Sequence, residues 1–327
     1  MRTRRTLLAT ALTAGAALLA TPALAAFPDR PIRVVVPFGA GGNLDTLMRL
    51  AAPGMSQRLG QNIVIENRAG AGGNVGTEMV ARSPADGYTV LVGSNGALTI
   101  NPVIMASVPY DTQRDFAPIA LGFRTPNVLV VAPHVPAQNL RDFIAYAKAN
   151  PGKVACASAG TGTSNHLLIE LFNQATGAGL VHIPYRSSSN AAPDMLSGNL
   201  AASMDQITTA MPFHRDGKLR IIGIGYHQRH ALLPDVPTLA EVGLPDGGLV
   251  AFIGLLAPAA TPREVVMKLR DAFAATLAEP AVRERVENTG TLLADPALQT
   301  PEGFADLIRR EATLSREAAR LAGITPG

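Results

Sequence analysis

A glycine-rich turn between an expected strand and an expected helix constrains this chain more than any other feature. Residues 31–45 read PIRVVVPFGAGGNLD. The β-branched run at residues 32–36 predicts a strand, and Pro37 should end it because proline has no N–H for a central ladder. The glycines free the backbone for a turn, and Asn43 or Asp45 is expected to cap the helix that follows. Such a turn aims free N–H groups at one point and can bind an anion without Lys or Arg; a tight turn with no ligand is the alternative.

The same turn occurs a second time. Residues 70–74 repeat residues 39–43 letter for letter, as GAGGN, and they follow a second strand-like stretch at 61–66. Two copies about one βαβ unit apart predict a parallel α/β sheet. The dinucleotide fingerprint G-x-G-x-x-G is matched at only two of its three glycines, since Leu44 stands at the third position of the first copy. A nicotinamide-dependent enzyme is therefore kept only as an alternative.

The first 25 residues have the pattern of an export signal. Arg2, Arg4 and Arg5 precede a run of apolar and small residues at 7–20, and the A-x-A motif at 23–25 predicts cleavage. The apolar run is too short to span a bilayer, so we expect a soluble mature protein in the periplasm. General secretion and the twin-arginine route both fit the paired arginines.

Removal of this signal changes the charge balance. The whole chain has 28 Lys and Arg against 25 Asp and Glu. Loss of the three arginines leaves 25 of each, so the basic character belongs mostly to the segment that is removed. We therefore expect neither nucleic acid nor an anionic membrane surface as a partner.

The strand–loop–helix pattern restarts after residue 150, which predicts a second domain. A strand at 153–157 leads into the loop 158–165, SAGTGTSN, which is dense in hydroxyl and backbone N–H donors, and His166 opens the next helix. The chain has a single cysteine, Cys156, so no intramolecular disulfide can form. We expect this thiol to lie inert in the core.

Polar residues also follow the third expected strand of the first half, at 88–92. Because the carboxyl ends of parallel strands share one crevice, Ser94 and Asn95 should face the same space as residues 39–43. The chain contains no H-E-x-x-H, G-x-S-x-G or P-loop motif. We therefore expect no catalytic residue, no metal and no cofactor. Facing donor-rich loops on two domains instead indicate a receptor that closes on a ligand.

Several short motifs spread over the chain carry a family resemblance. They are RPIR at 30–33, VIENR at 64–68, DGY at 86–88, VPYD at 108–111, HIPY at 182–185, LPDVPT at 233–238 and GLLAP at 254–258. On these motifs the chain resembles the periplasmic substrate-binding receptors of tripartite tricarboxylate transporters, the Bug family. The resemblance implies an α/β, two-domain type II periplasmic-binding-protein fold with a ligand cleft between the domains. It also implies a small carboxylate ligand, held by backbone N–H groups and bridging waters, and its delivery to the membrane permease of the transporter.

We place the first domain at residues 26–123 and 252–327 and the second at residues 124–251, with the hinge near Arg124 and Ala251. A monomer is expected. A receptor that serves a sensor system is one alternative function, and a secreted nicotinamide-dependent oxidoreductase is the other.

The ligand loops of the family fall on the turns singled out above. Carried over by position, the ligand-binding residues are Phe38, Gly39, Ala40, Gly41, Gly42, Asn43, Asp45, Ser94, Asn95, Ser158, Thr161, Gly162, Thr163, His166, Tyr185, Ser187, Ser188, Ser189 and Asp205. This chain departs from the family at residues 185–190, which read YRSSSN where relatives usually have Y-K-G-x-x-P. We hypothesise that residues 187–190 read the distal polar end of the ligand while residues 39–43 hold its carboxylate.

Overall fold

The computed structural model describes residues 27–244 and 250–324, so the predicted export signal lies outside the described residues. Within them the chain forms eleven strands and ten α-helices. The strands are β1 Ile32–Val36, β2 Ile63–Asn67, β3 Thr89–Ser94, β4 Phe116–Thr125, β5 Asn127–Val131, β6 Ala155–Ser158, β7 Val181–Pro184, β8 Ala202–Gln206, β9 Arg220–Gly225, β10 Ala251–Pro258 and β11 Leu292–Leu293. The helices are α1 Asn43–Leu59, α2 Asn74–Ala81, α3 Asn101–Ile104, α4 Leu140–Ala149, α5 Ser164–Thr176, α6 Ala192–Leu196, α7 Ile207–Arg215, α8 Arg263–Leu277, α9 Pro280–Glu287 and α10 Pro301–Leu321.

The strands form two sheets. One has six strands in the order β11-β4-β10-β3-β1-β2, and the other has five in the order β7-β6-β8-β5-β9. In the first sheet β1 is parallel to β2 and β3, whereas β10 runs antiparallel to β3 and β4. In the second sheet β6 is parallel to β7 and β8, and β5 is antiparallel to β8 and β9. The second sheet is formed by the consecutive strands β5–β9. The first sheet combines the strands that precede them, β1–β4, with the two that follow, β10 and β11.

Strand β1 shows how the first sheet obtains a core on both faces. Ile32, Val34 and Val36 pack with residues of α1 and α8, whereas Val35 packs with residues of α2 and α10. Successive strand residues point to opposite faces, so an unbroken β-branched run requires a layer of helices on each side. The parallel part of the sheet thus confirms the sequence prediction.

Helix α1 approaches α8 closely at Gly54. A Cβ atom at this position would lie 2.6 Å from Cγ2 of Thr276, a distance that real Cβ contacts do not reach. Because Gly54 has no side chain, the backbone of α1 can pack directly against the side chain of Thr276 on α8. This close packing holds α1 against α8.

Helix α10 contacts the cores of both sheets. Phe304, Leu307 and Ile308 pack in the core of the first sheet. Ala319, near the end of the same helix, packs in the core of the second sheet. Between them, Ser315 donates a hydrogen bond to Oγ1 of Thr99 at 3.2 Å. The 21-residue helix therefore connects the two lobes in addition to the strand crossovers.

Two elements lie outside the patterns that the sequence analysis used. The third strand does not end at residue 92, because β3 continues to Ser94 and a π-helix at Gly96–Ile100 leads directly into α3. Helix α9 is the second of three helices that follow β10. That helix buries only Val282 and Val286, which is too short an apolar pattern to be distinguished from a loop.

Candidate functional site

A cavity lies between the two lobes where several strands end. The cavity is small, with a volume of about 30 Å³, and it is partly open to solvent. It is lined by Phe38, Gly42, Asn43, Leu44, Ser94, Asn95, Gly96 and Ala251 of the first lobe, and by Ala159, Thr163, Ser164, Asn165, Ser187, Ser188 and Gln206 of the second. Among these described residues there is no Lys, Arg, His, Asp or Glu. The lining therefore combines apolar surface with polar side chains, none of which is ionisable.

The first glycine turn delivers the N-terminus of α1 to this cavity. Gly42 occupies the N-cap position and no side chain caps the helix, so the expectation that Asn43 or Asp45 is the cap was wrong. Asp45 instead accepts a hydrogen bond from the backbone N–H of Gly41 at 2.9 Å and another from Nε of Arg49 at 2.9 Å. Although burial opposes ionisation of this carboxyl, the hydrogen bonds from Arg49, Gly41 and Asn67 lower its pKa. Its charge is thus used to hold the turn.

Asn43 is the unusual member of the lining. Its side chain is only 4% exposed, and neither Nδ2 nor Oδ1 has a hydrogen-bond partner. A buried amide without partners costs about 1–3 kcal/mol. This unpartnered amide belongs to a residue of the cavity lining.

The second copy of the GAGGN turn gives a direct comparison. Oδ1 of Asn74 accepts hydrogen bonds from Nδ2 of Asn101 at 2.6 Å and from the hydroxyl of Tyr110 at 2.7 Å, and its Nδ2 donates to Sδ of Met105. Asn74 is therefore satisfied within the protein. The two turns thus have the same sequence but differ in the role of their asparagine. Asn74 makes hydrogen bonds within the protein, whereas Asn43 lines a cavity and has no partner.

A second helix begins at the cavity from the opposite lobe. Thr163 is the N-cap of α5, and its Oγ1 accepts from the backbone N–H of His166 at 3.3 Å and donates to the carbonyl of Gly160 at 2.7 Å. The first N–H groups of a helix have no partners within it, and its N-terminus carries a partial positive charge. The starts of α1 and α5 therefore make the cavity favourable for an anion.

Amide side chains form the wall of the second lobe. Nε2 of Gln206 donates to Oδ1 of Asn165 at 2.9 Å, and Nδ2 of Asn165 donates to Oδ1 of Asn127 at 2.9 Å. The hydroxyl of Ser188 donates to Oε1 of Gln206 at 3.2 Å. This network positions Asn165, Gln206 and Ser188 before any ligand arrives.

The sequence-predicted site residues fall into three groups. Those that line the cavity are Phe38, Gly42, Asn43, Ser94, Asn95, Thr163, Ser187 and Ser188. Those that support its loops or face neighbouring space are Gly39, Ala40, Gly41, Asp45, Ser158, Thr161, Gly162, His166 and Tyr185. Ser189 and Asp205 line a smaller cavity behind Ser188. The lining residues that were not predicted are Leu44, Gly96, Ala159, Ser164, Asn165, Gln206 and Ala251.

The orientation of strand β8 explains why Asp205 was predicted as a lining residue and its neighbour Gln206 was not. Adjacent residues at the end of β8 point to opposite sides, and the structure places Gln206 along the main cavity. Asp205 instead accepts hydrogen bonds from Oγ1 of Thr209 at 2.5 Å and from the N–H of Gln206 at 2.6 Å. Burial raises the pKa of Asp205 to about 6.

His166 supports the loop before α5 and lies outside the main cavity. Its ring stacks on that of His182 with 4.1 Å between centroids, and its Nδ1 accepts from the N–H of Gly162 at 3.3 Å. Nε2 of His182 lies 2.6 Å from the hydroxyl of Ser158. Burial lowers the pKa of His166, and burial together with the neighbouring His166 lowers that of His182 to about 4. Both rings are therefore neutral at pH 7 and act as packing and hydrogen-bonding groups.

The two lobes touch each other at the loops beside the cavity. The backbone N–H of Gly39 donates to the carbonyl of Arg186 at 3.3 Å. Gly72 lies so near Thr161 that a Cβ on the glycine would be 2.1 Å from the carbonyl oxygen of the threonine. The lobes are thus closed around the cavity.

The described residues offer neither a metal site nor a membrane-spanning helix. No group of three or more His, Cys, Asp or Glu residues in the described ranges could hold a metal ion. In the same residues no helix is long and apolar enough to cross a membrane. Cys156 is fully buried, as predicted, and burial raises its pKa to about 12.

Comparison with known proteins agrees with this geometry. The profile of the tripartite tricarboxylate transporter family receptors matches residues 47–318. The chain is 38% identical to protein BugT of Bordetella pertussis over 296 residues, which cover 89% of this chain and 90% of BugT.

Solved structures of similar proteins include two with bound acids. The R. palustris protein Rpa4515, determined with adipate, is 31% identical with a TM-score of 0.88, and the match covers 92% of this chain and all of that one (100%). MatC of Rhodopseudomonas palustris, determined with bound malate, is 33% identical with a TM-score of 0.85, over 89% of this chain and 99% of MatC. These similarities confirm the predicted two-domain α/β fold.

Proposed function

The chain belongs to the tripartite tricarboxylate transporter receptor family, and from this premise we propose that it is an extracytoplasmic receptor that captures a small carboxylate between its lobes. We further propose that it delivers the ligand to the membrane permease of such a transporter. The relatives determined with adipate and with malate support the ligand class. The pattern of an export signal at the N-terminus supports a periplasmic location.

The observation that carries this proposal is the unpartnered amide of Asn43 at the start of α1. It faces a cavity into which α5 also directs its N-terminus. An anion there is stabilised by two helix ends and by backbone N–H groups without a Lys or Arg side chain. A carboxylate is the anion that fits, because it can accept from these donors and from Nδ2 of Asn43 at once.

The same lining supports a binding role over catalysis. Its hydroxyls belong to Ser94, Thr163, Ser164, Ser187 and Ser188, and none of the lining residues is a His, Asp or Glu that could act as a base. Activation of a serine nucleophile requires such a base within hydrogen-bond reach. We therefore propose that the ligand leaves the cleft unchanged.

Closure of the cleft is expected to occur at the strand crossovers. The first crossover joins β4 to β5 at Pro126, and the return passes into β10 at Ala251. We propose that the hinge lies near Arg124 and Ala251 and that the second domain comprises residues 124–251, a division that the positions of these crossovers support. We propose that the receptor works as a monomer.

Titration calorimetry and thermal unfolding of the purified protein test the proposal. The ligand set contains malate, succinate, adipate, lactate and citrate, with NAD and glucose as controls. A ligand at 100 times its Kd should stabilise the protein by about 2.7 kcal/mol, which raises Tm by a few degrees. We expect at least one acid, and neither control, to produce this shift, and Asn43→Ala to reduce it. The exposed Asn288 serves as the matched control, since Asn288→Ala removes an amide away from the cavity. No shift with any acid would contradict the proposal.

Uptake measurements separate the transporter from the sensor. Cells that lack this chain should lose uptake of the acid that binds, and a plasmid copy should restore it. Unchanged uptake with a lost response to the acid would favour the sensor.

A further inference from the structure

We infer that the ligand carries, beside its carboxylate, a neutral hydrogen-bond donor such as a hydroxyl group, and that Asn43 selects for this donor. The inference rests on the proposed function and narrows the class of carboxylate. It starts from Asn43, a residue that is only 4% exposed and whose side-chain Nδ2 and Oδ1 atoms both lack a hydrogen-bond partner.

A carboxylate alone satisfies only half of this amide. Ionised carboxylates have acceptors and no hydrogen to donate, so they pair with Nδ2 and leave Oδ1 without a partner. Either orientation of the amide presents the cavity with two N–H donors and one acceptor. A ligand that fills both requirements has an acceptor and a donor close together.

The comparison with Asn74 indicates that the lack of hydrogen-bond partners is particular to the asparagine of the first turn. In the repeated GAGGN motif, Oδ1 of Asn74 accepts from both Asn101 and Tyr110. The chain can thus satisfy this amide internally with the same local sequence. At Asn43 both atoms are instead left for a molecule in the cavity.

The charges around the cavity determine what kind of donor is suitable. An ammonium group would lie near the positive ends of α1 and α5 and would find no carboxylate among the lining residues. The nearby carboxylate of Asp45 is engaged by Gly41, Arg49 and Asn67. Asp205 lines the separate cavity behind Ser188. A neutral hydroxyl meets none of these penalties, so it is favoured over an amino group.

Two series of acids with a common skeleton test the inference by calorimetry at pH 7.5. The first is malate, succinate and aspartate, which carry a hydroxyl, a hydrogen and an ammonium at the same carbon. The second is lactate, propionate and alanine, which differ in the same way on a shorter skeleton. In the series that binds, the hydroxy acid should bind at least about fivefold more tightly than the unsubstituted acid, because the latter leaves a buried acceptor unpaired. The amino acid should bind most weakly.

Asn43→Ala is the decisive variant. It removes the acceptor, so the ratio of affinities between hydroxy and unsubstituted acid should fall to about one, even if both bind more weakly. Urea unfolding of the variant without ligand verifies that it is folded. Ser56→Ala, which removes a half-buried hydroxyl on the same helix far along from its N-terminus, should leave the ratio unchanged.

The possible results separate this inference from the proposed function. If no acid of any kind binds, both are overturned. If the acids bind but hydroxy and unsubstituted members are equal, or the amino acid is tightest, the proposed function stands and this inference is overturned. A ratio that survives in Asn43→Ala would show that another residue reads the hydroxyl and would overturn the assignment to Asn43.

Discussion

The hydroxyl of Ser189 donates a hydrogen bond to the carbonyl oxygen of Ala40 at 3.2 Å, from one lobe to the other across the cleft. Ala40 lies in the first glycine turn, and Ser189 lies in the serine loop of residues 187–190. The same hydroxyl is 2.7 Å from that of Ser187, which in turn contacts Oδ1 of Asn190 at 2.9 Å. Two hydroxyl hydrogens serve three contacts, so not all three are made at the same moment.

This relationship changes the role expected for the serine loop. Ser187 and Ser188 line the cavity, whereas Ser189 holds the lobes together. The hypothesis that the loop reads the distal end of the ligand therefore stays a prediction for Ser187 and Ser188. For Ser189 the contact with Ala40 suggests a contribution to closure.

We predict that Ser189→Ala weakens binding of the cognate acid about 2- to 10-fold, because a net hydrogen bond contributes about 0.5–1.5 kcal/mol and here it forms only in the closed state. Calorimetry measures the affinity, and solution scattering should show a larger radius of gyration at subsaturating ligand. Ser197→Ala, an exposed hydroxyl bonded within its own turn, is the control. Equal affinity of Ser189→Ala and wild type would remove this bond from the account of closure.

Gly72→Ala is predicted to oppose closure more strongly. Gly72 has φ +60°, and its Cβ would lie 2.1 Å from the carbonyl oxygen of Thr161 on the other lobe. Overpacking of this kind costs about 1–3 kcal/mol, so affinity should fall roughly 5- to 150-fold.

Gly60→Ala provides the control for backbone strain. Gly60 has φ +68°, and a Cβ there meets nothing within 4 Å. Its replacement should lower stability by about 1 kcal/mol and leave affinity unchanged. If both variants bind like wild type, the lobes do not need to approach at Gly72 when the ligand binds.

Asp205→Asn is predicted to stabilise the protein increasingly as pH rises from 4 to 7. Burial raises the pKa of Asp205 to about 6 from its ordinary value near 3.8, so folding favours the protonated form. The stability that this group contributes is complete below about pH 3.8 and is lost as pH rises through 6. The Tm of the variant minus that of wild type should therefore increase over this interval.

Asp115→Asn provides a comparison of opposite sign. Its hydrogen bond to Arg114 lowers the pKa of Asp115, so the contribution of this carboxyl is present at neutral pH and is lost in acid. For Asp115→Asn, the Tm of the variant minus that of wild type should therefore not increase as pH rises from 4 to 7. A difference in Tm for Asp205→Asn that does not change with pH would show that the carboxyl is not held protonated by burial.

Phe304→Ala is predicted to lower the free energy of unfolding by about 3–5 kcal/mol. The ring is fully buried, lies 5.9 Å from that of Phe252 between centroids, and occupies the space left by Gly254, whose Cβ would be 2.5 Å from it. Leu314 on the same helix is 56% exposed, so Leu314→Ala should cost less than about 0.5 kcal/mol. Urea denaturation measures both, and similar small losses would contradict the assignment of Phe304 to the core.

Local sequence patterns were enough to predict individual strands and turns and the chemical character of the loops. The β-branched run of β1 and the glycine turns could be recognised in the sequence, because strand periodicity and glycine conformations are properties of a few neighbouring residues. Distinctive motifs also indicated the family, and with it the two-lobed fold.

The packing of distant segments determines which polar groups find a hydrogen-bond partner within the protein. Asn43 and Asn74 have the same four preceding residues, yet Asn101 and Tyr110 from distant parts of the chain satisfy only Asn74. Gln206 rather than Asp205 lines the cavity because the register of β8 sets which of two neighbours faces it. Hydrogen-bond partners far apart in sequence come together only when the chain folds, so no local pattern distinguishes a satisfied amide from one without a partner.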